Sequence, residues 1–573
     1  MVTRSILRPV LRPVTRAVSD TIRGFNPRSL FAAGEQGALY DLYDQSTLFQ
    51  DAAGTTPWTT LGQPLGLQRD KSKGLVRSAN LVTNGDFSSA TGWTAGAGWA
   101  IGSGVATATA SSADLSTDIG AVATRWHVVT FTVTRTAGSL TVIASGTATT
   151  TPTISASGTY TLYILASGAG STLIFRGSGF SGTIDNVSAV YEQGNHRYQT
   201  TPASRPTIEA LVNLQLNSAL WSSILTSSDG TSTASESTDV PANSGVFTSS
   251  LRIIKNGDLP YFYGYTIGAG APVANNVVNT RSFFIKPSAN VAQFGCGTSP
   301  ADRFYFRYTV ATGAITVGTN AQSAAVAAIG NGWYRAQVTQ KTLYADTTAI
   351  FVVVAVPTVT ASAASFDVIG LQTEAGASAT TYQRVTTATD YADVGAPRRI
   401  KYDGIDDFLQ TASVDFSATD KMTVWAGVRK LSDAVIGVVV ELSTNSDSTN
   451  GTFALAASVG GSGYYAQSRG TVRPTINATG YVAPHSAVLV AEAKISTDIL
   501  RLHVNNAAPL SSATDQGTGN YGNYPLYFGR RAGTSLPFSG EVFSPEVIRG
   551  AASTAAQIDM VERVINRNMG GVY

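Results

Sequence analysis

Apolar and polar residues alternate one by one in many short segments of this chain, and no other feature restricts its fold as strongly. Between residues 303 and 308, for example, Phe304, Phe306 and Tyr308 alternate with Arg303 and Arg307. A period of two places successive side chains on opposite faces of a strand, so the segment predicts a strand with one buried face. Clusters of Gly, Ser, Asn and Pro separate the segments, which predicts an all-β fold of sandwiches or barrels. Similar segments begin at His127, Tyr160, Ala349, Ala487 and Leu500.

The composition agrees with this fold class and excludes several others. Charged residues make up 13% of the 573 residues, about half of the usual share of roughly 25%. The net charge is +2, and no apolar run reaches the ~20 residues that span a bilayer. Cys296 is the only cysteine, which excludes a disulfide framework and a cysteine-based zinc site. We therefore expect no nucleic-acid partner and no membrane insertion.

An internal repeat indicates a duplicated domain. Asp185 precedes Glu192 by seven residues, and Asp367 precedes Glu374 by seven. In both copies an apolar residue stands before the aspartate, and a glycine follows two positions after the glutamate. A period of roughly 150 residues is that of a domain rather than of a solenoid unit.

The repeat leads to a prediction of three β-sandwich modules. Residues 78–193 and 209–392 are expected to be two related jelly rolls. Residues 30–77 and 393–573 would form the third sandwich, into which both jelly rolls are inserted, and residues 194–208 would be the return segment between the insertions.

One α-helix is predicted at the C-terminal end of the third sandwich. Thr554 and Gln557 have the spacing of a capping box. Ile558, Val561 and Ile565 form an apolar stripe that would pack the helix on a sheet.

Three stretches resemble laminin-G and concanavalin-like sandwiches of bacteriophage virion proteins. Residues 398–409 (RRIKYDGIDDFL) resemble their entry strand with its Asp-Gly-x-Asp-Asp pattern. Residues 536–571 resemble their closing strand and terminal helix, and residues 37–74 resemble their opening segment. This resemblance implies a concanavalin-like fold for the third sandwich.

The resemblance is interrupted where the two insertions are predicted. In the family, the sequence DKSG usually runs directly into NHATQ…RP and then into the entry strand. Here DKSKG ends at Gly74 and GNHRYQTTPASRP resumes at Gly194, and a second gap separates Pro206 from Arg398. The two gaps therefore support the insertion hypothesis independently of the repeat.

The inserted segments resemble other modules. Residues 81–93 (LVTNGDFSSATGW) and 182–192 (GTIDNVSAVYE) resemble carbohydrate-binding jelly rolls. Residues 330–339 (GNGWYRAQVT) and 371–391 resemble a jelly-roll segment of phage tail and fibre proteins.

Together these resemblances imply a structural protein located in a bacteriophage virion. We expect a tail or head fibre, spike or decoration protein that binds a host-surface glycan, contacts other virion proteins and forms a closed homo-oligomer, with a trimer as the first hypothesis. A purely architectural decoration protein and a polysaccharide depolymerase are the alternatives, and a secreted lectin is a further one.

Residues 1–29 are predicted to form a basic arm that anchors the chain to the particle. Arg4, Arg8, Arg12 and Arg16 recur every four residues, but intervening prolines would break a helix. An extended arm that orders on a virion partner is one interpretation. A disordered leader and an Arg-rich transit peptide are the alternatives.

The chain is expected not to be an enzyme. Glycosidases need two carboxyl groups about 5–9.5 Å apart, whereas Glu441, Glu492 and Glu541 stand isolated on predicted strands. The four histidines lack metal-ligand spacing, and no serine elbow or phosphate loop occurs. Acids from separate strands could still meet, which keeps the depolymerase alternative open.

Two sets of aspartates are candidates for structural calcium, and no other cofactor is expected. Asp403, Asp406 and Asp407 lie close in sequence, and clustered carboxylates suit hard cations. The alternative for this set is turn chemistry, with the side chains accepting local N–H groups. Asp185 and Asp367 occupy equivalent repeat positions, and the resemblance to carbohydrate-binding jelly rolls implies that such an acid supports calcium.

Aromatic residues are the candidates for glycan contacts, because aromatic rings suit the apolar faces of sugars. Tyr464, Tyr465, Tyr521 and Tyr524 lie in Gly- and Asn-rich segments that we predict to be loops with exposed side chains. Six tryptophans are expected mainly in the cores, with sugar stacking as the alternative: Trp93, Trp99, Trp126, Trp221, Trp333 and Trp425.

Overall fold

The computed structural model describes most of the chain from residue 25 onward. The described residues are 25–146, 150–210, 233–241, 249–255, 262–267, 278–299, 303–318, 321–341, 350–359, 363–375, 379, 397–458, 463–569 and 572.

The described residues form an all-β fold of sandwich modules with a C-terminal helix, which confirms the predicted fold class. The helix, α1, spans Ala555–Asn568. Short 3₁₀ turns span Pro27–Phe31, Gln45–Thr47, Pro202–Ser204 and Ile495–Thr497. The strands are, in chain order, β1 Gly37–Tyr40, β2 Leu48–Phe49, β3 Leu67–Gln68, β4 Trp93–Ala95, β5 Trp99–Gly102, β6 Val105–Ser111, β7 Asp114–Asp118, β8 Trp126–Ala144, β9 Gly158–Leu165, β10 Thr172–Glu192, β11 Arg197–Tyr198, β12 Thr207–Ala210, β13 Thr233–Ser237, β14 Ser250–Ile254, β15 Phe262–Ile267, β16 Val278–Pro287, β17 Val291–Ser299, β18 Arg303–Thr309, β19 Ala314–Val317, β20 Ser323–Gly330, β21 Trp333–Lys341, β22 Ile350–Pro357, β23 Ser365–Ala375, β24 Arg398–Asp403, β25 Leu409–Asp415, β26 Lys421–Lys430, β27 Gly437–Leu442, β28 Thr452–Ala457, β29 Tyr464–Arg469, β30 Thr475–Ala478, β31 His485–Lys494, β32 Ile499–Val504, β33 Leu510–Ser512, β34 Asn523–Phe528 and β35 Ser539–Arg549.

Two sheets form a sandwich from segments that are far apart in the sequence, and we call it the discontinuous sandwich. One sheet has the order β12-β24-β35-β26-β31-β32-β33, with β1 also paired to β35. The other has the order β2-β3-β11-β25-β34-β27-β28-β29-β30. Strand β1 pairs antiparallel with β35, so Leu39 lies opposite Val547. Buried apolar side chains from both sheets, such as Tyr40, Leu489 and Phe528, form one core between them.

Strands β4 to β10 form a single seven-stranded sheet, which we call the first inserted module. The long strands β8 and β10 pair with each other through several register shifts, and β8 also pairs with β9. Such bulges increase local twist and bend a sheet. Phe87, Phe131 and Phe175 lie in its core.

Strands β13 to β23 belong to a separate compact unit. They form two sheets with the orders β13-β14-β23-β16-β21-β20 and β15-β22-β17-β18-β19. Phe283, Phe294 and Trp333 are buried in its core.

The tryptophans and the helix follow the sequence predictions. Five of the six candidate tryptophans are buried, which confirms the core interpretation, whereas Trp221 lies outside the described residues. The capping box is present: Thr554 N–H donates to Gln557 Oε1 at 2.9 Å, and Gln557 N–H donates to Thr554 Oγ1 at 3.2 Å.

Among the described residues, no helix is long and apolar enough to cross a membrane.

The first inserted module packs on the discontinuous sandwich through an apolar cluster and a buried ion cluster. In the apolar cluster, the rings of Trp126 and Tyr198 lie edge to face at 5.4 Å. In the ion cluster, Glu192 accepts hydrogen bonds from Arg69 at 2.6 and 2.7 Å and from Arg77 at 2.7 Å. Burial disfavours the charged form of Glu192, but hydrogen bonds from His196 and Arg69 and their charges lower its pKa to about 2.

Candidate functional site

A row of cross-strand partners runs across the outer face of the nine-stranded sheet, the face directed away from the sandwich core. Cross-strand partners project from the same face of a sheet. The row consists of Leu67, Tyr198, Gln410, Tyr527, Glu441, Ala454, Gln467 and Thr475. The first inserted module covers Leu67 and Tyr198, whereas Thr475 at the opposite end is exposed.

The open end of this row contains a groove with a volume of about 580 Å³. Polar and apolar side chains alternate along β30. Thr475 and Asn477 are exposed on the groove side, while Ile476 and Ala478 point into the core. The groove is lined by Ile436, Asp447, Ser458, Tyr465, Gln467, Arg473, Thr475, Asn477, Arg531 and Leu536.

Four side chains from β29 and β30 form the floor of the groove. Tyr465 lies opposite Asn477, and Gln467 lies opposite Thr475. Within the described residues, the Tyr465 hydroxyl, the Asn477 amide and Gln467 Nε2 have no hydrogen-bond partner. Tyr465 is only 5% exposed, and burial raises the pKa of its hydroxyl to about 12. The floor therefore presents neutral donors and acceptors beside one aromatic ring.

The wall of the groove is held by a set of ion pairs around Arg531. Its Nε donates to Glu441 Oε2 at 2.9 Å, its Nη1 to Asp447 Oδ2 at 2.6 Å, and its Nη2 to Ser446 Oγ at 3.1 Å. Asp447 also pairs with Arg473. Glu441 Oε1 accepts the Ser446 N–H at 2.6 Å, so both of its oxygens are occupied. The charges of the two arginines and the two acids are therefore paired, and these contacts hold the wall in position.

The four candidate tyrosines lie in different positions from those predicted. Tyr464 and Tyr465 belong to a paired strand, and Tyr464, Tyr465 and Tyr521 are buried, so the prediction of exposed loop side chains is wrong for these three. Alternation along β29 is the reason: Tyr464 faces the core, where its hydroxyl lies 3.1 Å from His485 Nδ1, and Tyr465 faces the groove. Tyr524 is partly buried on β34. Of the four, only Tyr465 lines the groove.

Asp403, Asp406 and Asp407 are brought together by a tight turn. Their ligand oxygens lie within 4.8 Å of one another. Asp403 Oδ1 accepts the N–H groups of Ile405 at 2.7 Å and Asp406 at 3.2 Å, and Asp407 Oδ2 accepts the Asp403 N–H at 3.0 Å. Burial and the nearby Asp403 carboxylate raise the pKa of Asp407 to about 6. These local hydrogen bonds agree with the interpretation of the three aspartates as turn residues. Calcium binding at this cluster stays a prediction.

The two repeat aspartates have different surroundings. Asp185 on β10 accepts the N–H of Asn186 at 2.6 Å, whereas both oxygens of Asp367 on β23 bind Arg252 at 2.7 Å. Neither belongs to a group of three or more potential metal ligands in the part of the chain that the structure describes. The four arginines proposed to anchor the particle, Arg4, Arg8, Arg12 and Arg16, lie outside the described residues.

Sequence reasoning missed most of the groove. Alternation in the YYAQSR and TINA segments could have shown that Gln467, Thr475 and Asn477 share a face with Tyr465. The pairing of Glu441 with Arg531 across 90 positions carries no local signal.

Fold and groove together define a multi-sandwich β protein with a polar groove on one sheet face. No protein-family model and no curated protein matches the chain. It is similar to the solved structure of the Ruminococcus gnavus IT-sialidase CBM40, with 16% identity, a TM-score of 0.21, and coverage of 27% of this chain and 97% of the other. It is also similar to the receptor-binding domain of botulinum neurotoxin D, with 7% identity, a TM-score of 0.23, and coverage of 29% and 43%.

Proposed function

We propose that this chain is a glycan-binding structural component of a bacteriophage particle and that it binds polysaccharide in the groove without cleaving it. Location in the virion is supported by the resemblance of its segments to phage virion proteins. Glycan binding is supported above all by one observation: Tyr465, Gln467, Thr475 and Asn477 form a compact polar floor on two paired strands.

This floor matches the chemistry of a sugar. A pyranose ring presents hydroxyl groups that both donate and accept hydrogen bonds, and amide and hydroxyl side chains offer both functions. The small exposed part of Tyr465 lies beside them. Strands β29 and β30 hold these side chains in place, so little conformational freedom is lost on binding. The groove volume of about 580 Å³ lies within the usual range for ligand pockets, about 300–1,000 Å³.

Binding without cleavage is supported by the surroundings of the two acids at the groove. A glycosidase needs a carboxyl group that stays protonated to act as general acid. The two acids at the groove, Glu441 and Asp447, both accept hydrogen bonds from Arg531, so neither is arranged to donate a proton to a ligand.

Co-sedimentation of the full chain with host cells and extracted host polysaccharide tests this proposal. The variant Thr475→Ala/Asn477→Ala removes two exposed groups from the floor, and Thr107→Ala/Thr109→Ala is a matched control on an exposed face of β6. We expect the groove variant to bind at least tenfold more weakly and the control to bind as the unmodified chain does.

The possible outcomes distinguish glycan binding in the groove from the alternative functions. Equal binding by the groove variant would refute the groove as the site, and no binding by any form would favour architectural decoration. Release of reducing ends from the polysaccharide would instead show a depolymerase. Mass spectrometry of purified particles tests virion location independently.

A further inference from the structure

A second pocket, with a volume of about 360 Å³, lies on the other sheet of the discontinuous sandwich, where α1 packs on the outer face of β31 and β32. Glu492 and His503 on the strands face Asp559 and Glu562 on the helix. Neither the groove nor the proposed function involves these residues.

Glu562 is the unusual group in this pocket. It is 1% exposed, and its Oε1 has no hydrogen-bond partner within the described residues. The other acids of the pocket are paired: Glu492 lies 3.1 Å from His503 Nε2, and Asp559 accepts from Arg563 at 2.8 Å. A buried carboxylate oxygen without a partner is costly, so this oxygen marks a place where a donor is missing.

Part of the pocket wall is apolar, although Arg501, Asn506 and Ser553 also line it. Ala507, Ala508 and Pro509 from the loop after β32 line one side, and Ile558 from α1 lines another. A short methylene chain can lie along such walls while its charged end reaches the acid.

We propose that this pocket binds a primary alkylammonium group, with the ammonium donating to Glu562 Oε1 and the methylene groups packing on Pro509 and Ile558. An ammonium suits a single free oxygen because it is a compact charge with rotatable donors, whereas a guanidinium prefers two acceptors in one plane. The group can come from a lysine side chain of another protein or from a free polyamine.

Binding of this group depends on the charge of Glu562. Burial raises its pKa to about 7, while the nearby His503 and the Asn506 N–H act in the opposite direction. An ammonium pairs with the ionised form, so its affinity rises as the pH increases through 7. The other titratable or charged groups around the pocket are Glu492, Arg501, His503, Asp559 and Arg563.

Saturation-transfer NMR with n-butylammonium chloride and the full chain tests the proposal, with n-butanol as the neutral probe. At pH 8 we expect n-butylammonium to bind and n-butanol not to. Glu562→Gln keeps the shape and removes the charge, so it should weaken binding at least tenfold. Asp114→Asn, which removes an acid from an exposed ion pair of the first inserted module and lies outside the pocket lining, should leave the affinity unchanged. Lowering the pH from 8 to 5.5 should weaken binding to the unmodified chain about thirtyfold, because a carboxyl group with a pKa of about 7 changes from mostly ionised to mostly protonated over this range.

Several results would overturn the proposal: no detectable n-butylammonium binding, equal binding by n-butanol, or full affinity in Glu562→Gln. Thermal unfolding shows whether that variant is folded, and we expect it to be at least as stable because a buried charge is removed. Competition then separates the two sources. If the peptide acetyl-Gly-Lys-Gly-amide displaces n-butylammonium and its norleucine analogue does not, the pocket takes a lysine. If only cadaverine displaces it, the pocket takes a free polyamine.

Discussion

The two ends of the outer face of the nine-stranded sheet share one row of cross-strand partners but differ in what covers them. At the closed end, the first inserted module buries Leu67 and Tyr198. The buried charge of Glu192 is paired there with Arg69. At the open end, Asn477 and Thr475 remain exposed, and the Tyr465 hydroxyl has no partner among the described residues. The closed end therefore joins two modules, and the open end keeps hydrogen-bonding groups available for a ligand.

This difference separates stability from binding. A buried carboxylate surrounded by cations is costly to disturb, because removal of one partner leaves the others unpaired in a dry site. Exposed polar groups on a strand contribute little to folding. Substitutions at the closed end should therefore change the free energy of unfolding, and substitutions at the open end should change glycan affinity.

The largest effect is expected for Glu192→Gln. The substitution preserves the shape of the side chain but leaves the guanidinium groups of Arg69 and Arg77 without their anion. Loss of one partner from a buried ion pair costs about 3–5 kcal/mol. Urea unfolding at pH 7 measures this loss, and glycan binding of the folded variant should be unchanged. A loss below ~1 kcal/mol would mean that the cluster contributes no more to the free energy of unfolding than an exposed ion pair does.

The same carboxylate predicts a pH dependence of stability. Its pKa falls from the ordinary 4.5 to about 2 in the folded chain. A group with a lowered folded pKa stabilises the fold above its unfolded pKa, and this contribution is lost as the pH falls through the folded value. Between about pH 4.5 and pH 2 the unmodified chain should lose roughly 3 kcal/mol relative to Glu192→Gln. Urea unfolding of both forms at several pH values measures the difference, and a constant difference over this range would contradict the lowered pKa.

At the open end, Tyr465→Phe tests the role of one hydroxyl in the groove. The ring stays in place, so the packing on the sheet is preserved, and the unpartnered hydroxyl is removed. Loss of one hydrogen bond to a ligand costs about 1 kcal/mol, which corresponds to roughly fivefold weaker glycan binding. Calorimetric titration with the polysaccharide that sediments with the chain measures the affinity. Unchanged affinity together with unchanged unfolding would show that the ligand does not reach Tyr465.

The sequence was sufficient to predict the fold class and the helix, because both depend on local signals. Alternation predicted the strands, and the Thr554–Gln557 spacing predicted the capping box that the structure contains. The groove depends instead on which strands become neighbours. Tyr465 and Asn477 meet through strand pairing, and Glu441 meets Arg531 across 90 positions. Tyr464 was misassigned because Gly-rich flanks suggested a loop, whereas it lies on a strand, and Tyr521 lies in a loop but is buried.

The partners of Glu192 could not be predicted from the sequence either. The repeat identified it as a recurring position but gave no indication of its partners, since Arg69 lies 123 positions earlier. The repeat aspartates differ in their surroundings, because both oxygens of Asp367 bind Arg252 whereas Asp185 accepts the N–H of Asn186. Equivalence in a repeat therefore predicts backbone position better than it predicts chemistry.

The smallest effect is expected for Asp114→Asn, which serves as the exposed counterpart of Glu192→Gln. Asp114 binds both Nε and Nη2 of Arg176 at 2.9 Å, a geometry as favourable as that in the buried cluster. Its side chain is 38% exposed and that of Arg176 is 51% exposed, so water solvates both charges whether or not they are paired. Exposed ion pairs contribute about 0–1 kcal/mol, and urea unfolding should show a change within that range that shrinks further at high salt. A loss comparable to that of Glu192→Gln would mean that hydrogen-bond geometry, and not burial by the first inserted module, makes the closed end stable.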